Sequence, residues 1–84
     1  MDLSALITIK RLLEMAIEQA KTEFEQSKKR YNTLKNLSEM TKEDAAKAAI
    51  ATQMSATDEL MHVLWRWKMD LESALKKFTE KDWR

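Results

Sequence analysis

A chain of 84 residues with no glycine and no proline has few ways to reverse direction. Tight hairpins need positive φ, many turns need the fixed φ of proline, and phosphate-cradling loops need glycine for close backbone approach. Few turns mean few elements. Alanine, leucine, glutamate, lysine, glutamine and methionine fill the chain, and all are strong helix formers. The expected fold is all-α: two long antiparallel helices forming a coiled-coil-like helical hairpin, completed by dimerisation or by a partner protein. As one domain over residues 1–84, it has helix 1 over about 3–38, a turn over about 38–42 and helix 2 over about 42–80.

Helix 1 carries the clearest pattern. From Leu13 onward, Ile17, Ala20, Phe24, Ser27, Tyr31 and Leu34 recur at alternating spacings of four and three, a heptad seam. Continued upstream, that phase puts Lys10 in the seam, where Leu6, Ile9 and Leu12 offer better contacts, so a local stutter or a widened apolar face is expected. Asp2 or Ser4 can cap its start. Thr41 followed by Asp44 resembles a capping box and is expected to open helix 2, with Ser38 as the competing cap. A second helix of that length is roughly 55 to 60 Å long, equal to the first. Paired in a hairpin, Ala45, Ala46, Ala48 and Ala49 face Tyr31, Leu34 and Leu37, while Val63 lies level with Ala20, Trp67 with Ala16 and Phe78 with Leu3.

Helix 2 has more apolar surface than one neighbour can cover. Between Leu60 and Met69 large apolar side chains occur at almost every angle around the helix axis. Leu60, Val63, Leu64, Trp67 and Leu71 can serve one face against helix 1, while Met61, Trp65 and Met69 recur at four-residue spacing as a second face. Ile50, Met54, Met61, Leu64, Leu71, Leu75 and Phe78 also form a second seam at four-and-three spacing, and one neighbouring helix cannot cover both. Met61, Leu64, Trp65 and Met69 are therefore assigned to a partner, with Trp83 as a further contact. Methionine adapts to irregular surfaces, and tryptophan and methionine are enriched in interface cores.

Composition narrows the function. There is no cysteine, a single histidine and no glycine for an oxyanion or phosphate loop, so the usual catalytic arrangements fail at the first step. The chain is read as a non-enzyme with no cofactor and no small-molecule substrate. One metal arrangement survives as an alternative: Glu59 and His62 have the Glu-x-x-His spacing of helical di-iron sites, Glu23 falls at the same level on helix 1, and ferritin-like helical hairpins complete such a set by dimerising. A formal net charge of +1 supplies no field for nucleic acid or acidic membranes. Lys28, Lys29, Arg30 and Lys35 read as a solvated face, and as a phosphate-contact patch only in a minor alternative. No apolar run approaches the roughly 20 residues needed to span a bilayer. With no secretory leader pattern and no cysteine, the expected localisation is cytoplasmic.

Two stretches carry a family resemblance. Arg11-Leu-Leu-Glu-Met-Ala-Ile-Glu-Gln-Ala-Lys21 on helix 1, and the aliphatic run Leu60-Met-His-Val-Leu-Trp-Arg-Trp-Lys68 ending in alternating aromatic and basic residues, resemble the small helical-hairpin co-chaperones of type III secretion needle subunits. The resemblance spans residues 5 to 68. It implies a cytoplasmic heterocomplex in which the hairpin packs on a larger helical-repeat chaperone, and the pair holds the needle subunit as a monomer. The alternative is a self-assembling helical bundle with a structural or regulatory role.

Overall fold

The computed structural model describes residues 2–80. It consists of α1 (Leu3–Met40) and α2 (Asp44–Glu80), which pack along their whole length as an antiparallel hairpin. The rod measures 65 × 15 × 13 Å, its two short dimensions nearly equal. No described residue has positive φ, so the reversal is made by Thr41, Lys42 and Glu43 in ordinary backbone conformations. This is how a chain without glycine turns: it spends three residues where a glycine cap would use fewer.

Asp2 caps α1, its Oδ1 accepting from the backbone N–H of Ala5 at 2.8 Å. At the other end Thr41 acts differently from its expected role. It closes α1 instead of opening α2: its N–H and its hydroxyl both donate to the Leu37 carbonyl, at 3.0 and 2.6 Å. The physical reason is local. Leu37 carries one of the orphan carbonyls of the last turn, and a threonine four residues on reaches it with two donors. The carbonyl of Glu43 then receives the N–H of Lys47 at 3.0 Å and starts α2. Thr41→Ala should lower stability by about 0.5–1 kcal/mol, read as a small drop in the helical melting temperature, because the backbone N–H still serves the Leu37 carbonyl.

The seam of α1 is the predicted one. Ile17, Ala20 and Ser27 are buried, with Leu13, Phe24, Tyr31 and Leu34 half-buried along the same line. The stutter is present too, since Ile9 is half-buried and Lys10 is exposed; Leu12, by contrast, stays in solvent.

On α2 the face that packs on α1 follows the second seam, not the stripe of Leu60, Val63 and Trp67. The side against α1 is Met54, Thr57, Met61, Leu64, Lys68, Leu71, Leu75 and Phe78, spaced by three and four, with Thr57 and Leu64 buried. Leu60, Val63 and Trp67 are turned out, and Val63 is 61% exposed. The register is close to the expected one, since Phe78 lines a groove with Leu3, Leu6 and Ile7. The error is a rotation of α2 about its own axis. The resulting core is thin: Ile17, Ala20 and Leu64 are the buried apolar residues among those described, and no large side chain is completely enclosed.

Candidate interaction surface

Two flanks border the seam, and their chemistry differs. Helical residues advance by about 100° each. In an antiparallel pair, a rotation of the same sense away from the seam leads to the same side of the hairpin on both helices. Glu14, Glu18 and Lys21 of α1 line one groove with Glu72 of α2, which fixes them on one side. By spacing, Lys28, Lys35, Asp58, His62 and Lys76 belong to that side as well. It is the charged flank.

The charged flank also holds the aromatic contact of the hairpin. Trp65 leans over the seam onto Phe24, ring centroids 5.4 Å apart and planes at 50°. Lys68 stands 4.3 Å from the Trp65 ring centre and pairs with Glu72 at 2.8 Å. Lys68 occupies a seam position, its side chain only 15% exposed, so its ammonium needs both partners: the ring face supplies a quadrupole and the carboxylate supplies charge. The hydrogen bond from Lys68, reinforced by the positive charges of Lys68 and Lys21, holds the Glu72 carboxyl below its ordinary value of 4.5 against a smaller opposing effect of desolvation. A depressed carboxyl stabilises the fold above the unfolded value and loses that contribution as pH falls through the folded one. The melting-temperature advantage of the natural chain over Glu72→Gln should therefore hold at neutral pH, shrink below the ordinary carboxylate range and vanish in stronger acid.

The opposite flank is the unusual one. On α1 it reads Ala5, Leu12, Ala16, Gln19, Gln26, Thr33 and Leu37, and on α2 Ala49, Gln53, Ala56, Leu60, Val63, Trp67 and Ala74. Leu12, Leu37, Leu60, Val63 and Trp67 are all exposed large apolar residues, with Met15 and Met40 exposed at its outer edge. Charges on it are sparse. Along α1 they are Glu23 and Arg30, and along α2 Asp70 and Lys77. Exposed apolar surface extending across both helices, on a rod this narrow, is the sort of patch that protein contacts cover.

The residues singled out from sequence therefore scatter. Met61 and Leu64 lie in the seam, Leu64 only 4% exposed and Met61 half-buried beside an open groove lined by Phe24, Asp58, His62 and Trp65. Trp65 and Met69 are about half exposed on the charged flank, and Trp83 lies outside the described residues. Leu12, Leu60, Val63 and Trp67 are exposed on the other flank. A signal for it was present: on α1 the positions one step to one side of the seam are almost uncharged, and those one step to the other are mostly charged.

The metal set is not gathered within one protomer. His62 Nδ1 donates to the Asp58 carbonyl at 2.9 Å and lies 3.6 Å from the Asp58 carboxylate, on the charged flank, whereas Glu23 lies on the opposite one and accepts from Gln19 Nε2 at 3.3 Å. Among the described residues no three histidine, aspartate or glutamate side chains come together in a way that could hold a metal ion. No described helix is long and apolar enough to cross a membrane.

Comparison with known proteins gives no match: no family model fits the chain, and no curated protein or solved structure matches it.

Proposed function

We propose that the chain is a non-enzymatic protein-binding module that buries the sparsely charged flank of its hairpin against helical surface. The observation that carries this is the exposure of Leu12, Leu60, Val63 and Trp67 on one side of a rod whose own core encloses so little. Exposed leucine or valine residues occurring singly need no explanation, but three of them on one side, with a tryptophan 44% open beside them, cost solubility unless they are covered. The resemblance to needle-subunit co-chaperones gives the reading a concrete form. In that form a cytoplasmic hairpin lends a helix surface to a larger chaperone and its aggregation-prone client, and the client's apolar stripe is occupied until export.

The test uses the natural chain and Val63→Glu side by side. Val63 is exposed, so the variant should keep its helical signal. The natural chain should either show a mass above that of the protomer by light scattering or retain a helical protein from a lysate of its native host, and Val63→Glu should lose that association. A folded monomer that retains nothing would overturn the reading.

A further inference from the structure

We infer that the sparsely charged flank is covered by a second copy of this chain, packed face to face and end to end, so that α1 meets α1 and α2 meets α2 in antiparallel pairs. The inference rests on the reading of that flank as a protein-binding surface and names what occupies it. Two independent patterns along the flank point to this arrangement.

The first is charge. Glu23 and Arg30 are the charged residues of α1 on this flank, two helical turns apart on the same line. Among the described residues neither has an ion-pair partner within 4.0 Å, since the four pairs present are Lys10–Glu14, Lys21–Glu18, His62–Asp58 and Lys68–Glu72. A two-fold axis crossing the rod between Gln26 and Ser27 brings Glu23 of each copy to Arg30 of the other. Both α1 charges of each copy are then paired at once, as an isologous contact requires. The competing two-fold axis runs along the rod and lays α1 over α2 of the other copy. It sets Glu23 against Leu60 and Val63, and Arg30 against Ala56, which buries both charges without partners.

The second is size. On α2 this flank is slimmer near the turn, with Ala49 and Ala56 on either side of Gln53, and large in the middle, with Leu60, Val63 and Trp67. Reversing one copy end to end lays Trp67 on the Ala49–Ala56 stretch of the other and brings Leu60 and Val63 together near the axis. On α1 the same axis sets Leu37 on Ala16. Large side chains meet small ones at the contacts away from the axis, and this interdigitation lets helices approach to roughly 8–10 Å. The product is a four-helix bundle in which the charged flanks face water.

Charge reversal and a single cysteine test the arrangement. The natural chain should have about twice the 9.9 kDa protomer mass. Glu23→Arg and Arg30→Glu should each bring the mass to that of the protomer with the helical signal retained, and the double variant Glu23→Arg/Arg30→Glu should restore the doubled mass. The chain has no cysteine of its own, so Gln26→Cys, beside the proposed axis, should give a disulfide-linked dimer on mild oxidation, while Glu25→Cys on the charged flank should not. If the charge variants fail to fold, the cysteine pair decides alone. A doubled mass untouched by the single charge reversals, failure of Gln26→Cys to cross-link, or cross-linking through Glu25→Cys as readily, would overturn the arrangement. A monomer that captures a host protein through Val63 would overturn the second copy and leave the binding module standing; a folded monomer that captures nothing would overturn both.

Discussion

Leu64→Ala should cost about 2–3 kcal/mol, the lower part of the range for truncating a buried leucine, because a hairpin two helices wide lets water and neighbours close on the gap. A chain of this size seldom has more than about 3–5 kcal/mol to lose. The variant should therefore be largely unfolded at 37 °C, with most of the far-ultraviolet helical signal gone. Leu64→Met keeps volume and apolar character and should cost below about 1.5 kcal/mol. Leu64 is buried while Leu60 and Val63, one turn before it and its immediate neighbour, are exposed. Leu60→Ala should accordingly be close to neutral for the isolated hairpin. Equal losses at Leu60 and Leu64 in a monomeric sample would mean that α2 is rotated from the position described.

The second large effect concerns two tryptophans two residues apart. Trp67→Glu should leave the helical content nearly unchanged and abolish association, since it places a carboxylate in the middle of the exposed apolar surface and any covering helix would have to desolvate it. Trp65→Glu should do the reverse. Trp65 packs on Phe24 and beneath Lys68, so its loss removes an aromatic pair worth about 0.5–1.5 kcal/mol beyond buried area, together with the ring that shelters the Lys68 ammonium. Its expected signature is a lower melting temperature with association surviving in the folded fraction. Static light scattering and thermal melts on both variants separate the two roles.

The contrast also explains what could be read from the chain and what could not. Helix 1 was legible in nearly every position because its seam is apolar or small and its charges stay off the seam: Ile17, Ala20 and Ser27 are buried where the heptad puts them. The absence of glycine and proline made the hairpin legible as a whole. Helix 2 was legible as a helix but not in its rotation. Its true seam contains Thr57 and Lys68, polar residues that break the apolar line, while its outer side offers Leu60, Val63 and Trp67 as a competing apolar stripe. Thr57 fits because its hydroxyl is returned to the Gln53 carbonyl at 2.8 Å, and Lys68 fits because Trp65 and Glu72 receive its charge. Neither compensation can be seen from hydrophobicity alone. Thr41 was misassigned for a related reason. A threonine at a helix boundary can cap the helix that follows or seal the one before, and the free carbonyl of Leu37 decided between them.

The three-residue turn has a kinetic consequence. Closing a short loop costs little chain entropy, and the cost grows with the length of chain enclosed. Contacts beside the turn, between the end of α1 and the start of α2, can therefore form early and at low cost. The groove where Phe78 meets Leu3 and Leu6 encloses nearly the whole chain and is reached cheaply only after the intervening turns have zipped. On a ribosome the order is stricter still: Ile17 and Ala20, made early, have nothing to pack on until the stretch around Leu64 has emerged. Until then the best-defined seam in the molecule is exposed, and that is the interval in which the nascent chain is most open to mispairing with another helix.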